Sequence, residues 1–224
     1  MKENYKLYPT ITALFVAVLI ISNIASTKLT QLGSFVLDAG TILFPLSYIF
    51  GDILTEVYGY AKARRVIWTG FFCSILASGV FFLVQYLPSA NEWGNQAAYE
   101  SILGLVPRIV LASVVAYLVG SFVNSYIISK VKIYTKGKNM WARFLASTIG
   151  GQFFDTGIFV LIAFAGTVSN SVLLSIIISN YLFKVLVEIV FMPLTYKVVK
   201  YIKHVEGLDY LDIKTNFTPF RLKD

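Results

Sequence analysis

Four acidic residues and one lysine lie inside long apolar stretches of this chain. They are Asp52, Glu56, Asp155, Glu188 and Lys184. A charged side chain at the centre of a bilayer costs about 2.5–3.5 kcal/mol on insertion scales, so such residues persist mainly where they face a protein interior or a hydrated pathway. The pattern therefore predicts a membrane protein with a polar centre, and it favours movement of a solute over a scaffolding role.

Helical spacing places several of these residues on shared faces, because positions i and i+4 lie on one side of an α-helix. Asn180, Lys184 and Glu188 follow this spacing in the last apolar stretch. The predicted substrate-binding residues are polar and aromatic side chains on these faces and in the neighbouring stretches: Asn23, Tyr48, Asp52, Arg108, Gln152, Asp155, Tyr181 and Lys184. Glu56 and Glu188 are predicted to contribute to coupling or gating.

Depth within the membrane suggests which charges can meet. At 1.5 Å per residue, Asp52, Asp155 and Lys184 lie about 18–20 Å from the ends of their stretches, near the middle of a ~30 Å hydrocarbon core. Opposite charges at one depth can pair, which predicts a central polar site. The alternative is a salt bridge that only fixes helix packing, since a buried pair is weak evidence for stability.

For the other predicted substrate-binding residues, a structural role is an alternative to ligand binding. Arg108 either closes the site from one side or extends its charge to the lipid headgroups. Tyr48 and Tyr181 either stack on a flat ligand or pack within the bundle. The carboxylates and amides would suit the edge of a neutral or weakly charged heterocycle.

Six apolar stretches are long enough to carry these residues across a bilayer, which takes about 20 residues of α-helix. They fall at roughly 9–27, 40–58, 66–87, 102–128, 143–166 and 171–196. Strands are excluded as spans, because an open strand leaves its backbone unsatisfied in lipid. The fold class is therefore all-α: a polytopic membrane protein with six transmembrane helices over residues 1–196, followed by a basic, partly disordered tail over residues 197–224.

The basic residues predict the orientation. If six helices alternate, 16 of the 19 Lys and Arg residues lie on one side: Lys2, Lys6, Lys62, Arg64, Arg65, Lys130, Lys132, Lys136, Lys138, Arg143, Lys197, Lys200, Lys203, Lys214, Arg221 and Lys223. Cytoplasmic loops carry an excess of Lys and Arg. The protein is therefore predicted to lie in the inner membrane of the cell, with both termini in the cytoplasm.

Composition excludes several other classes. The chain has 224 residues, 57% hydrophobic and only 14% charged, whereas soluble domains carry about 25% charged residues. The net charge of +7 lies between apolar stretches, which argues against nucleic-acid binding. One cysteine, Cys73, and one histidine, His204, provide no thiolate cluster and no histidine-based triad. The sequence has no phosphate-binding glycine loop. It predicts no enzyme activity, no bound metal and no cofactor.

Several segments resemble one known family of transporters. The run FPLSYIFGDILTEVYGYAKARRVIW (44–68) carries the strongest resemblance, supported by RIVLASVVAYLVG, STIGGQFFDTGIF and YLFKVLVEIVFMP. The resemblance is to the queuosine-precursor transporter family, also called the vitamin uptake transporter family. The matching positions are Asn23, Pro45, Asp52, Thr55, Arg64, Arg65, Arg108, Ser147, Asp155, Thr156, Lys184 and Pro193; Glu56 and Glu188 are not firm parts of this pattern.

This resemblance implies uptake of 7-cyano-7-deazaguanine or its 7-aminomethyl relative, across the inner membrane, by a fold similar to the substrate-binding subunits of energy-coupling-factor transporters. One alternative is such a subunit working with a shared ATPase, supported by the A-x-x-x-A pair Ala13 and Ala17. The others are a membrane enzyme or signalling protein, for which no nucleophile–base pair is seen, and a structural membrane protein. Small-residue faces are compatible with a homodimer.

Overall fold

The computed structural model describes residues 5–33, 35–166, 169–213, 215–218 and 220. Helices dominate it, and seven α-helices follow one another along the chain: α1 Tyr8–Ala25, α2 Phe44–Tyr58, α3 Tyr60–Gln85, α4 Gln96–Leu103, α5 Val106–Tyr134, α6 Met140–Phe164 and α7 Asn170–Glu206. Proline occupies the first turn of α1, α2 and α5, where its missing N–H is not needed. The helical class is confirmed.

Within the described residues, five helical segments are long and apolar enough to cross a bilayer: Tyr8–Ala25, Tyr60–Gln85, Gln96–Tyr134 (α4 together with α5), Met140–Phe164 and Asn170–Glu206. The predicted span at 40–58 is instead divided between a 3-10 turn, Ala39–Ile42, and the 15-residue α2. At 1.5 Å per residue, α2 is only about 22 Å long. Most of α2 is buried by its neighbours, and backbone enclosed by protein does not need to match the bilayer.

A short hairpin, absent from the predicted fold, follows α1. Strands β1 (Leu29–Leu32) and β2 (Phe35–Asp38) pair antiparallel, with Leu29 opposite Asp38. Asp38 anchors it, because its carboxylate accepts hydrogen bonds from Ser26 Oγ at 2.7 Å and Thr41 N at 3.1 Å. These bonds hold the hairpin against the end of α1.

One end of the bundle, here named the basic end, brings five parts of the chain together. They are the start of α1, the α2–α3 corner, the end of α5, the start of α6 and the end of α7. Backbone N–H groups of Lys6 and Leu7 donate to Glu206 at 3.1 and 2.6 Å, and Tyr58 Oη donates to the same carboxylate at 3.0 Å. Helix α7 is about 56 Å long at 1.5 Å per residue, so it extends beyond a ~30 Å core.

Close packing between α2, α5 and α6 depends on Gly120 in α5. A Cβ there would lie 2.7 Å from Asp155 Cβ and 3.0 Å from the Gly151 carbonyl oxygen, and it would also collide with the Tyr48 hydroxyl. We expect Gly120→Ala to lower the free energy of unfolding by about 1–3 kcal/mol, because overpacking forces neighbours apart. Thermal unfolding of the purified protein measures this effect.

Gly157→Ala is the matched control, since a Cβ at Gly157 meets no described atom within 4 Å. Alanine is favoured over glycine in a helix by about 0.5–1 kcal/mol, so this variant should be as stable as the unmodified protein or slightly more stable. Equal behaviour of the two variants would contradict the packing described for Gly120.

Candidate functional site

An ion pair joins α6 and α7 inside the bundle. Lys184 Nζ lies 2.9 Å from Asp155 Oδ2, and both side chains are almost fully buried. The ammonium group also lies 4.6 Å from the centre of the Phe44 ring on α2, which is a cation–π contact. The two opposite charges predicted at the same depth are therefore in direct contact.

Asp52 on α2 is held by an amide. Asn124 Nδ2 on α5 donates to Asp52 Oδ1 at 2.6 Å, and both side chains are buried. Asn124 was not among the predicted residues. Its position in an apolar stretch, four residues after Gly120 and on the same helix face, is the signal that could have identified it.

Glu188 on α7 is held in a similar way, because Gln152 Nε2 on α6 donates to its carboxylate. Asp52 and Glu188 line one cavity of about 10 Å³ together with Ile49, Phe144 and Thr148 among others. A space of that size has room for about one water. The site is therefore closed around its polar groups.

Tyr48 lies in the same cluster. Its hydroxyl lies against Gly120 and next to Asp155, and its ring contacts the Tyr117 ring edge-on at 5.2 Å. The ring is 1% exposed, so it is packed among other side chains in this closed arrangement. We name the group formed by Tyr48, Asp52, Asn124, Gln152, Asp155, Asn180, Lys184 and Glu188 the central cluster.

Several buried polar atoms of the central cluster have no hydrogen-bond partner within the part of the chain that the structure describes. They include both amide atoms of Asn180, Asn124 Oδ1, Gln152 Oε1 and Asp155 Oδ1. Most buried polar groups in proteins are paired, and an unpaired one costs about 1–3 kcal/mol. Each of these atoms is therefore able to form a further hydrogen bond to a water or a polar ligand.

Three of the predicted substrate-binding residues lie outside the central cluster. Asn23 lines a separate cavity of about 10 Å³ with Ser74 and Ser78. Arg108 is exposed at the end opposite the basic end, where Nε and Nη2 donate to the Ile162 and Ala165 carbonyls at 3.1 and 2.9 Å.

Tyr181 is the third. It contacts the exposed Phe153 edge-on at 6.4 Å, and its hydroxyl donates to the Ile149 carbonyl on α6 at 3.4 Å. It also lines an apolar groove on the outside of α6 and α7.

Glu56 forms a second charged group, at the basic end. Arg143 donates to both of its carboxylate oxygens at 2.7 and 2.8 Å, and Lys203 Nζ lies 2.5 Å away. Lys132 Nζ lies 3.4 Å away and donates to the Glu56 carbonyl at 2.7 Å. Glu56, predicted to contribute to coupling or gating, is completely buried among these cations.

The chain after α7 covers this charged group. Asp209 lies 2.9 Å from both Lys132 and Lys203. Burial opposes ionisation of Asp209, but hydrogen bonds and charge from these two lysines lower its pKa below the usual value. Asp212 accepts from Tyr60 N at 3.1 Å and Ser129 Oγ at 3.0 Å. The tail was predicted to be partly disordered, and residues 208–213 are a part of it that binds the basic end.

Comparisons with known proteins identify the family of this chain. A family model described as "Putative vitamin uptake transporter" matches residues 38–198. A Bacillus subtilis protein named "Probable queuosine precursor transporter" is 31% identical over 83% of this chain and 81% of its own length.

The Escherichia coli "Queuosine precursor transporter" is 28% identical over 68% of this chain and 67% of its own length. No solved structure matches. The family match covers the helices that build the central cluster from Asp52 to Glu188. The chain therefore belongs to the vitamin uptake transporter family, and the names of the family and of these relatives describe transporters and not enzymes.

Proposed function

We propose that this protein imports a queuosine precursor, 7-cyano-7-deazaguanine, 7-aminomethyl-7-deazaguanine or both, by alternating access around the central cluster. The observation that carries the proposal is the buried Asp155–Lys184 pair surrounded by unpaired carboxylate and amide atoms, in a chain whose relatives are named queuosine precursor transporters. A purine-like edge offers donors and acceptors in one plane, which these groups can match.

The roles follow from the chemistry of each group. Asp155 Oδ1 and the Gln152 oxygen accept from ring or exocyclic N–H groups, while the Asn180 amide both donates and accepts. Lys184 balances the charge of Asp155 and can donate to a ring carbonyl. Tyr48, next to Asp155, is the aromatic side chain placed to contact the heterocycle once the helices part. Asn23, Arg108 and Tyr181 are left out of the proposed site because they lie elsewhere.

Alternating access is supported by closure of the bundle at both ends. The Glu56 group joins α2, α5, α6 and α7 at the basic end, and Arg108 joins α5 to the end of α6 at the other. The central cavity is too small for a bicyclic base, so binding requires one end to open. We place the basic end in the cytoplasm, because Lys and Arg accumulate there.

Ligand binding to the purified protein tests the proposal. We expect 7-deazaguanine bases to bind and to raise the unfolding temperature, because a ligand that binds only the folded state stabilises it by mass action. Guanine, riboflavin and biotin serve as the comparison panel. Binding of riboflavin or biotin without binding of either 7-deazaguanine would show that the site serves a different solute.

A substrate-binding subunit that works with a shared ATPase is the second candidate. Ala13 and Ala17 are exposed on α1, as a surface contacting such a partner requires. Uptake by this chain in a host without the ATPase would exclude that candidate, whereas uptake that depends on co-expressed ATPase subunits would support it.

A further inference from the structure

Two carboxylates in the central cluster lack a cationic partner. Asp52 and Glu188 are 5% and 4% exposed and line the same cavity. Across the described residues, neither forms an ion pair, whereas Asp155 pairs with Lys184 and Glu56 pairs with Arg143, Lys132 and Lys203. A buried carboxylate without a cation is strongly unfavourable, so this cavity has a deficit of positive charge.

The groups beside these two acids share one chemical property. Asn124 uses its amide nitrogen on Asp52, and Gln152 uses its nitrogen on Glu188. The oxygens of both amides, together with Glu188 Oε2, are buried and have no donor in the described chain. The unpaired atoms on these two amides and on Glu188 are therefore acceptors, whereas the Tyr48 hydroxyl and Asn180 Nδ2 are unpaired donors elsewhere in the central cluster. A ligand group that binds beside Asp52 and Glu188 must be rich in N–H donors.

The nearest cations are already engaged. Lys184 lies one helical turn from Glu188, about 6 Å along α7, but its ammonium is bound to Asp155 at 2.9 Å. At the basic end, Lys132 and Lys203 bind Glu56 and Asp209. A compensating positive charge must therefore come from the ligand or from protons.

We propose that Asp52 and Glu188 form a subsite for a positively charged group of the transported solute, a protonated primary amine attached to a flat heterocycle. An alkylammonium group has three donors and no acceptor, which matches the two carboxylates and the unpaired Asn124 oxygen. The inference rests on the proposed function, and within it the 7-aminomethyl compound becomes the preferred ligand, because a primary alkylamine is protonated at pH 7 and the 7-cyano compound has no such charge.

Paired binding measurements test this subsite. The dissociation constants of the 7-aminomethyl and 7-cyano compounds are measured with the purified protein at pH 7. We expect the aminomethyl compound to bind about tenfold or more tightly, since a hydrogen bond to a charged group contributes enough for such a ratio. Glu188→Gln and Asp52→Asn should each reduce this ratio about tenfold, because each variant removes one negative charge beside the amine.

Glu206→Gln is the matched control, because Glu206 binds Leu7 N and Tyr58 at the basic end and should keep the ratio. Two variants are used so that a folding defect in one leaves the other informative. If the unmodified protein binds both compounds with equal affinity and takes up protons on binding, Asp52 and Glu188 bind protons and not the amine. That result would overturn the proposed subsite and leave the proposed function intact. Failure of both compounds to bind would overturn the proposed function itself.

Discussion

Replacing Asp155 by Asn is expected to abolish uptake of 7-deazaguanine bases while leaving the protein in the membrane. The substitution leaves Lys184 as a buried charge without its partner, which lowers the stability of the fold by about 3–5 kcal/mol, and it replaces a carboxylate acceptor proposed for the ligand by a neutral amide. A hydrogen bond to a charged group contributes about 1.5–3 kcal/mol, so its loss corresponds to about 10-fold to 100-fold in affinity. Uptake by cells is compared at matched amounts of membrane-inserted protein.

A double variant separates binding from packing. Asp155→Asn with Lys184→Met removes both charges, and replacement of a buried ion pair by uncharged groups is often neutral for stability. If the pair binds substrate, the double variant regains thermal stability but not uptake. Restored uptake would show that the pair only fixes helix packing, and normal uptake by Asp155→Asn alone would remove Asp155 from the site.

Asp38→Asn is the control for loss of a buried carboxylate outside the central cluster. Asp38 accepts from Ser26 and Thr41 at the hairpin, so the substitution should lower the unfolding temperature. It should leave the affinity of the folded protein for the ligand unchanged, because no residue of the central cluster bonds to Asp38 in the described chain.

The Asp155–Lys184 contact could be predicted because a charged side chain inside an apolar helix is stable only beside an opposite charge, other polar groups or water. Depth along each helix followed from the rise per residue, and opposite charges at one depth are driven together in lipid. Asn124 and Asn180 were harder to assign, since a neutral amide carries a smaller penalty and does not reveal its partner. Their roles emerge only when the packing of α5, α6 and α7 shows which of their atoms lack partners.

Tyr181 shows what helical spacing leaves undetermined. It lies three residues before Lys184 and next to Asn180, yet the rotation of α7 turns its ring towards the outer groove beside Phe153. Adjacent residues on an α-helix of 3.6 residues per turn are about 100° apart around the helix axis. A line of polar residues therefore does not determine whether the residue next to it faces the bundle interior or the outside. Arg108 shows the same limit, because its partners are carbonyls at the end of α6, which no pattern of side chains reveals.

The tail illustrates a different limit. Its charged composition is typical of disorder, but Asp209 and Asp212 complement groups that the fold gathers from distant parts of the chain. The hairpin, in contrast, had a local signal, because a Gly-Ser pair in the sequence separates two short strand-like runs, LTQL and FVLD, and such pairs are typical of hairpin turns.

Neutralising Glu56 is expected to have the second largest effect. Glu56→Gln leaves Arg143, Lys132 and Lys203 around a neutral amide in a buried position. Removal of one partner from a buried charge group costs about 3–5 kcal/mol, so we expect a large fall in the unfolding temperature. In the proposed mechanism the same change weakens closure of the basic end, and uptake should fall because the protein no longer alternates between two closed ends.

A double-mutant cycle identifies the source of this effect. Glu56→Gln, Arg143→Gln and the double variant should show a coupling free energy of about 0.5–3 kcal/mol, as expected for residues in direct contact, whereas Glu92→Gln, in the exposed linker before α4, should have no effect. If the four proteins instead show additive losses, Glu56 and Arg143 act independently. Closure of the basic end would then depend on the other contacts between the tail and the helices. These include the contacts of Asp209 and Asp212 with α3, α5 and α7 and the hydrogen bonds that Arg64 donates to the Asn216 and Thr218 carbonyls.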